Sequence, residues 1–448
     1  MASGEFIGKR VVVMGLGHFG GGIGVTRWLV SQGADVLVTD RADEPKLAGA
    51  LKQLDGLRVR YRLGGHDETD LDGCDLLVVS PAVPKDRSDF VQAAESRQIA
   101  LSSEMNLFLE RCPIRRVVGI TGSAGKSTTT AMLGAILEQA AADGVFRKAW
   151  VGGNIGKSLL GDLDDMHADD VLVLELSSFQ LEDTARIQWS PPFAVVTNIR
   201  PNHLDRHGTL EAYTDAKMNL VRYQSQSGRV FLNAQDLELL ERVGMAVSPG
   251  KISRFAFDDR FINDLRVPGE HNRINAAAAI AVARALGVND ACISAGLQAF
   301  HGLSHRLEFI AERNGVRYYN DSKSTTPEST RIAVDAFEQP LIVLIGGRDK
   351  GMSFDELCTH LSRRAKAVIC YGEVGPTLAK EIDACNVLVA ETLQDATRIS
   401  MTEASAGDVV VLSPACTSYD QFSNYEERGD AFRHVVLESN SPLVRPST

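Results

Sequence analysis

Cysteine is sparse in this sequence, and its distribution excludes two kinds of structure. The seven cysteines are scattered over 448 residues, are odd in number and contain no C-x-x-C pair. A disulfide framework or a zinc site would need paired or closely spaced thiols. We therefore expect buried, reduced thiols in a reducing compartment.

Long apolar runs and blocks of like charge are also missing. No stretch of about 18 apolar residues, the length that crosses a bilayer, occurs, and the first ten residues lack a secretory pattern. The 58 acidic and 47 basic residues give a net charge of -11, with no basic stripe for nucleic acid. We expect a cytoplasmic monomer that neither inserts into membranes nor binds nucleic acid.

The chain is rich in short apolar runs that alternate with helical stretches, the rhythm of doubly wound parallel sheets. Its length predicts about three domains, which we place at 1–104, 105–302 and 303–448. A strand–glycine-turn–helix unit begins at Arg116, and Asn275–Leu286 reads as a strong helix. The other predicted strands are Arg10–Met14, Asp35–Thr39, Arg58–Leu63, Leu76–Ser80, Val171–Glu175, Phe193–Asn198, Arg229–Asn233, Val316–Asn320, Leu341–Gly346, Ala367–Tyr371 and Val409–Ser413.

A phosphate loop is predicted in Val117–Thr130, which reads VVGITGSAGKSTTT. A β-branched run leads directly into Gly122 and Gly125, and a helical pattern follows Lys126. Glycines let backbone N–H groups turn inward, the helix N-terminus favours anions, and the lysine can reach the β- and γ-phosphates. The strict Walker spacing requires a glycine where Ile120 stands, so the loop is a variant.

A second glycine pattern lies near the amino terminus. Gly15, Gly17 and Gly20 form G-x-G-x-x-G after a strand, and Asp40 ends the next strand, where a ribose-binding acid would lie. Alone, this fingerprint favours an NAD-dependent oxidoreductase. Such an enzyme gives no reason for the second phosphate loop.

Polar residues at later strand ends could complete a nucleotide–metal site. Glu175 ends a buried strand, where a carboxylate can reach a phosphate-bound metal, and His203 follows another strand in NHLDRH. Read alone, Lys217 is a solvated helix lysine. Further along, lysines and hydroxyls follow successive strands and predict a carboxylate-binding cleft; the residues are Asp321, Lys323, Lys350 and the segment SPACTSYDQFSNYEERGD.

These motifs, in this order and spacing, resemble the Mur ligase family over almost the whole chain. The matching pieces are TGSAGKST, ELSSFQL, NHLDRH, HNRIN, HRLE, NDSK and SPACTSYDQFSNYEERG. The resemblance implies an α/β protein with a Rossmann-like N-terminal domain, a central P-loop-type ATPase domain and a Rossmann-like C-terminal domain. The last piece implies an ATP-dependent ligase that joins D-glutamate to UDP-N-acetylmuramoyl-L-alanine through an acyl phosphate, in peptidoglycan precursor synthesis.

The resemblance also implies roles for individual residues. Lys126, Glu175, His203 and Lys217 would be catalytic; two Mg²⁺ ions would be held by Ser127, Glu175, His203 and Lys217, the last as a carbamate. ATP would be bound by Gly122, Ser123, Ala124, Gly125, Lys126, Ser127, Thr128, Asn272, Asn275, Arg306, Asp321 and Lys323. The UDP substrate would be bound by Gly15, Leu16, Gly17, Asp40, Arg41, Ser80, Pro81, Asn154 and Ser177. D-glutamate would be bound by Thr325, Lys350, Ser418 and Tyr425.

The sequence departs from the family pattern at Ala124, Asn202, Thr326 and Ala82, where Asn, Asp, Asn and Gly are usual. None of these changes removes a charged donor or the phosphate lysine. Two further alternatives are a catalytically silent scaffold and a relative that adds another amino acid, such as a folate polyglutamate synthase. The retained charged residues argue against the first, and the SPACTSYDQF segment argues against the second.

Overall fold

The computed structural model describes residues 4–17, 20–245, 247–383, 386–438 and 443–444. Its elements build three sheets, and the chain divides into two compact units. The first unit contains residues 1–257 and 277–296, and the second contains 258–276 and 297–448. Within the described ranges, every helix is too short or too polar to cross a membrane.

The strands and helices alternate along most of the chain. The strands are β1 Arg10–Met14, β2 Asp35–Asp40, β3 Val59–Leu63, β4 Leu76–Val79, β5 Ala100–Ser102, β6 Arg116–Thr121, β7 Ala149–Gly153, β8 Val171–Glu175, β9 Phe193–Val196, β10 Arg229–Asn233, β11 Ile252–Phe255, β12 Glu308–Arg313, β13 Val316–Asn320, β14 Leu341–Gly346, β15 Ala367–Tyr371, β16 Asn386–Ala390, β17 Val409–Ala415 and β18 Leu443–Val444. The α-helices are α1 Gly21–Ser31, α2 Glu44–Lys52, α3 Asp89–Ser96, α4 Glu104–Leu109, α5 Lys126–Ala142, α6 Ser178–Arg186, α7 Leu204–His207, α8 Leu210–Arg222, α9 Leu237–Gly244, α10 Glu270–Ala285, α11 Asp290–Ala299, α12 Pro327–Asp335, α13 Asp355–Arg364, α14 Gly375–Glu381, α15 Leu393–Glu403 and α16 Tyr425–Glu438.

The first sheet is parallel and has the strand order β3-β2-β1-β4-β5. Its central strand β1 is a run of β-branched and apolar residues that is buried on both faces, as parallel strands between helices require. The strand order reverses between β1 and β4, and open α/β sheets bind their ligands at the carboxyl edge of such a switch point.

The second sheet is also parallel, in the order β11-β10-β9-β6-β8-β7. Strand β6 lies between β8 and β9, and all three are almost wholly buried. Their carboxyl ends meet at one edge, where β6 delivers the glycine loop, β8 ends in Glu175 and β9 leads into Thr197. The most buried strands of this sheet thus position the phosphate-loop residues.

The third sheet has the order β16-β15-β14-β17-β13-β12-β18. Strands β13 to β17 run parallel, and β12 pairs antiparallel with both β13 and β18. The neighbours β14, β17 and β13 bring three loops to one edge.

The α/β class and all eleven predicted strands are confirmed, with ends that differ by one or two residues at most. The predicted helix Asn275–Leu286 begins five residues earlier, at Glu270. Six strands were not predicted: β5, β7, β11, β12, β16 and β18. Five of them lie at sheet edges, and β12 carries charged residues, so their apolar pattern is weak. The domain boundaries at 104 and 302 stay predictions.

Candidate active site

The glycine loop after β6 leaves no room for a side chain at its first position. Gly122 has φ +149°, and a Cβ there would lie 1.9 Å from Thr197 Oγ1. Only glycine adopts this backbone and this approach without strain. The residue therefore lets the loop turn directly against the end of β9.

Residues that follow β9 hold the loop at Ala124. The Asn198 amide accepts from the Ala124 N–H at 3.0 Å and donates to the Ala124 carbonyl at 3.1 Å. The Thr197 hydroxyl donates to the same carbonyl at 2.6 Å. All three bonds use the Ala124 backbone, so the alanine that departs from the family pattern does not remove them.

Lys126 begins α5, a helix of 17 residues. Its ammonium donates to the carbonyls of Gly122 at 2.9 Å and Ser123 at 3.2 Å. Ser127 and Thr128 follow in the first turn, where free N–H groups and the helix dipole favour an anion. A cation, hydroxyls and a helix N-terminus thus face one loop, as phosphate binding requires.

Lys217 is only 1% exposed, so the prediction of a solvated lysine from the residues alone was wrong. Its ammonium donates to the Gly122 carbonyl at 2.9 Å and to Thr121 Oγ1 at 3.3 Å. Burial, aided by the nearby charge of Lys126 and opposed by that of Glu175, lowers the pKa of Lys217 to about 7. A buried lysine with a low pKa presents a neutral, nucleophilic amine near neutral pH.

Glu175, which ends β8, is nearly completely buried. Its Oε1 accepts from the Asn154 side-chain amide at 2.9 Å, whereas Oε2 is buried and has no hydrogen-bond partner in the described part of the chain. Buried carboxylate oxygens are rarely left unbonded, and carboxylates are preferred ligands of Mg²⁺. The orphaned oxygen beside the phosphate loop fits a bound divalent cation.

His203 lies in the αL conformation, with φ 53°, at the start of α7. Its exposed ring lies 5.4 Å from the ring of Phe179 and 6.3 Å from that of Tyr213. The Lys217 ammonium lies 4.6 Å from the centroid of the Tyr213 ring. Tyr213 is therefore near two expected metal ligands. This position is not apparent from the sequence, because one aromatic residue in a helix usually signals core packing.

His207 packs behind His203 and helps to fix the loop. Its ring stacks on Phe179 at 5.2 Å, and its Nε2 lies 2.9 Å from Ser178 Oγ. Burial lowers the pKa of His207, and Arg206 adds to the effect. Within the residues described, three or more His, Cys, Asp or Glu side chains do not cluster as a metal site. The expected ligand set contains only two residues of those types.

The carboxyl edge of the first sheet carries most residues expected for the UDP substrate. A Cβ on Gly15 would lie 2.8 Å from Ser80 Cβ, so β1 and β4 end in close contact. Asp40 Oδ2 accepts from the Leu16 N–H at 2.8 Å and, more weakly, from the Gly17 N–H at 3.4 Å. The carboxylate expected to bind a ligand thus organises the glycine loop itself.

The remaining residues of that set differ in their surroundings. Arg41 is exposed beside Asp40, and Pro81 lies in the turn after Ser80. Ser177 is the N-cap of α6, where its side chain accepts from the Gln180 N–H in a capping box. Asn154 lies at the edge of the second sheet against Glu175.

The second unit contains the other expected nucleotide residues. Asn275 donates to Asn272 Oδ1 at 3.3 Å, so one turn of α10 brings the two amides together. Asp321 accepts from the Leu307 N–H and from Ser413 Oγ at 2.8 Å, and burial raises its pKa to about 6. Arg306 and Lys323 are exposed.

The loops after β13, β14 and β17 are bonded to one another. The backbones of Arg348 and Thr417 exchange two hydrogen bonds, and the Ala415 N–H donates to Ser324 O at 3.0 Å. These loops carry Thr325, Lys350 and Ser418. Tyr425 begins α16, with its ring 5.5 Å from the Lys323 ammonium. The loops that carry these cations and hydroxyls are therefore joined at one edge of the sheet, and the carboxylate-binding cleft stays a prediction.

Comparison with known proteins places this arrangement in a family. Three family models match the chain: "Mur ligase MurD-like, N-terminal domain" at residues 9–101, "Mur ligase middle domain" at 120–253 and "Mur ligase, glutamate ligase domain" at 305–416. Two relatives carry the name UDP-N-acetylmuramoylalanine--D-glutamate ligase. The one from Pelotomaculum thermopropionicum is 36% identical over 97% of this chain and 98% of its own. The one from Anaeromyxobacter dehalogenans is 39% identical over 98% of this chain and 99% of its own.

Solved structures with the same fold are more distant in sequence. UDP-N-acetylmuramate-alanine ligase MurC from Thermotoga maritima is 19% identical with a TM-score of 0.59, covering 96% of this chain and 100% of its own. MurF ligase from the same organism, in complex with ADP, is 18% identical with a TM-score of 0.56. The match covers 90% of this chain and 95% of the MurF chain. These neighbours confirm the fold class. By the relatives that match it from end to end, the chain belongs to the Mur ligase family and is an ATP-dependent amide ligase.

Proposed function

We propose that this ligase joins D-glutamate to UDP-N-acetylmuramoyl-L-alanine in peptidoglycan precursor synthesis, in the cytoplasm and as a monomer. The observation that carries the chemistry is the group around Gly122: a phosphate loop, a buried lysine and a carboxylate with one unbonded oxygen. The substrate assignment is supported by the name of relatives that are 36–39% identical over nearly the full chain. Residues 1–104, 105–302 and 303–448 would serve the UDP substrate, ATP and the amino acid.

The first step forms a bond between the carboxylate of the UDP substrate and the γ-phosphorus of ATP, and ADP leaves. Two anions must approach, so positive groups are needed where charge collects on the transferring phosphoryl group. Lys126 would leave its contacts with the Gly122 and Ser123 carbonyls and bind phosphate oxygens instead. The N–H groups at the start of α5 would bind the same anion.

Mg²⁺ is the implied cofactor, and two ions would be bound by Ser127, Glu175, His203 and a carbamylated Lys217. When bound, the ions would neutralise phosphate charge and orient its oxygens. Carbamylation of Lys217 is supported by its burial and its pKa of about 7, because CO₂ reacts with a neutral amine. The modified side chain would keep one N–H donor and gain two acceptor oxygens, so it could keep only one of its present bonds to Gly122 O and Thr121 Oγ1.

The second step forms the amide bond: the neutral amine of D-glutamate attacks the acyl carbon and phosphate leaves. Positioning is the main requirement of this step. Thr325, Lys350, Ser418 and Tyr425 would bind the amino acid, since they carry hydroxyls and a cation at one sheet edge. Asn272, Asn275, Arg306, Asp321 and Lys323 would bind the nucleotide.

The edge of the first sheet would bind the UDP moiety. Gly15, Leu16, Gly17, Ser80 and Pro81 surround the switch point, with Asp40 and Arg41 beside it, and Asn154 and Ser177 would contact the muramoyl part. Read alone, the same glycine pattern favours an NAD-dependent oxidoreductase. It is disfavoured because it leaves the phosphate loop and Lys217 without a role.

Phosphate release measured with ATP, Mg²⁺ and UDP-N-acetylmuramoyl-L-alanine tests the proposal across D-glutamate, L-glutamate, L-lysine and diaminopimelate. We expect release with D-glutamate only, and none from Lys126→Ala with an unchanged circular dichroism spectrum. Release with a different amino acid alone would refute the substrate assignment. Full activity of Lys126→Ala would refute the role of the loop.

A further inference from the structure

Arg428, in α16, is a fully buried cation without a carboxylate partner. Its side chain is 0% exposed. Nη1 donates to the Cys416 carbonyl at 3.0 Å, Nη2 to the Ser322 carbonyl at 2.8 Å, and Nε to Ser322 Oγ at 3.0 Å. Among the residues described, none forms a salt bridge with it. Buried arginines are normally paired with an acid, because an isolated charge is costly to remove from water.

The acidic groups of the neighbouring loops do not neutralise Arg428. Asp349 and Asp420 influence Cys416 electrostatically, but Asp349 is exposed and Asp420 Oδ2 accepts from the Glu373 N–H. Neither is hydrogen-bonded to the guanidinium. The buried guanidinium therefore has only carbonyl and hydroxyl acceptors as hydrogen-bond partners, in surroundings where a low dielectric extends the influence of its charge.

The three loops of the candidate cleft converge on this guanidinium. Ser322 precedes Thr325 in the loop after β13, and Cys416 precedes Ser418 in the loop after β17. The third loop, after β14, also passes beside the guanidinium, since a Cβ on Gly347 would lie 3.2 Å from Nη1. Ser322 Oγ also donates to the carbonyl of Tyr425 at 2.8 Å, and this bond connects the start of α16 to the loop after β13.

We propose that Arg428 is a positioning residue for the amino-acid substrate, and that its unpaired charge selects a dicarboxylic amino acid. This inference rests on the proposed function of the same loops. Arg428 fixes the backbones that present Thr325, Lys350 and Ser418. Its positive potential favours an incoming ligand that carries two carboxylates, because none of its hydrogen-bond partners is an acid.

The two parts of this role can be separated by substitution. Arg428→Met keeps the length of the side chain and removes both charge and donors. Arg428→Lys keeps the charge but cannot bond both Ser322 and Cys416, because it lacks the guanidinium fork. The matched control is Arg313→Met, since Arg313 is 3% exposed in β12 of the same unit and bonds the Leu437 carbonyl, outside the three loops.

The test measures phosphate release while each substrate is varied in turn. We expect Arg428→Met to raise KM for D-glutamate at least tenfold and to change KM for ATP and for the UDP substrate less than twofold. Arg428→Lys should fold and show an intermediate KM for D-glutamate. Arg313→Met should lower the unfolding midpoint and leave all three KM values within twofold of wild type.

An unchanged KM for D-glutamate in Arg428→Met, or an equal rise in all three KM values, would overturn the inference. If Arg428→Met does not fold, Arg428→Lys decides: a KM for D-glutamate equal to that of wild type overturns it. A wild-type enzyme that releases no phosphate with D-glutamate would instead refute the proposed function. The two failures are therefore distinguishable.

Discussion

The buried ammonium of Lys217 donates a 2.9 Å hydrogen bond to the carbonyl oxygen of Gly122. This bond joins α8 to the first residue of the phosphate loop. A carbamate at Lys217 keeps a single N–H donor and adds two negatively charged oxygens, so it can keep at most one of the present bonds to Gly122 O and Thr121 Oγ1, and its oxygens must point away from Gly122 O. The local structure thus differs between the free and the modified lysine.

Lys217→Ala should lower kcat by at least about 100-fold, in the range seen when one charge-stabilising group is removed. Short carboxylates such as formate should restore part of the activity, because they can occupy the space of the lost carbamate. Lys217→Arg keeps the charge but cannot be carbamylated and should not be rescued. Phosphate release with and without formate measures this; equal responses of the two variants would contradict carbamylation.

Glu175→Gln should weaken Mg²⁺ binding, because an amide oxygen carries no full charge and the orphaned Oε2 becomes an N–H₂ group or a neutral oxygen. We expect the Mg²⁺ concentration for half-maximal activity to rise at least about tenfold, the effect of losing roughly 1.4 kcal/mol. A Mg²⁺ titration of phosphate release tests this. Glu138→Gln, on the exposed face of α5, is the control and should titrate like wild type.

Gly122→Ala should impair nucleotide binding without unfolding the protein. The new methyl group would overlap Thr197 Oγ1, and φ +149° is strained for alanine. Positive φ alone costs about 1–3 kcal/mol, so we expect KM for ATP to rise at least about tenfold. Gly161→Ala, which has open space and an ordinary φ, should behave like wild type. Comparable KM values in both variants would show that the loop tolerates a side chain.

Asp321 should make the second unit less stable as pH rises from about 4 to 6. Its folded-state pKa, about 6, lies above the ordinary value of 3.8, so in this window the folded chain holds a proton that the unfolded chain has released. The free energy of unfolding therefore falls with increasing pH, by at most about 3 kcal/mol. Urea midpoints of wild type and Asp321→Asn, measured at several pH values, should diverge accordingly.

Asp170 serves as a control, because its pKa is shifted in the opposite direction to that of Asp321. Burial alone would raise its pKa, but hydrogen bonds from Arg147 and Trp150 outweigh burial and lower it. Its contribution to stability is therefore present above the ordinary pKa and lost as pH falls. Asp170→Asn should weaken the protein most near neutral pH. Parallel pH trends for the two variants would contradict the shift at Asp321.

The sequence predicted the strands around the phosphate loop because their signals are local. Strand β6 is a β-branched run followed by glycines, and β8 and β9 are buried on both faces. Strand β12 was not predicted because its charged residues, such as Glu312 and Arg313, interrupt the apolar pattern that indicates a strand. The other five missed strands lie at sheet edges, which are only partly covered, so their composition resembles that of loops.

Burial of charge was the part that local pattern could not predict. Lys217 lies in the helical run TDAKMN, and only tertiary contact with Gly122 removes it from water. Arg428 lies in the run EERGD, which looks like a solvated helix surface. Both residues are nevertheless buried, because loops distant in sequence close over them. The burial of these two side chains can therefore be recognised only from the folded structure.

Asp40 sets a practical limit on redesign of the amino-terminal sheet. Its carboxylate already accepts from the N–H groups of Leu16 and Gly17. An engineer who wished to install a nicotinamide cofactor on this G-x-G-x-x-G loop would find that these two N–H groups are already hydrogen-bonded within the protein. Retargeting would have to begin at Asp40, with a shorter or neutral side chain that releases both amides to the new ligand.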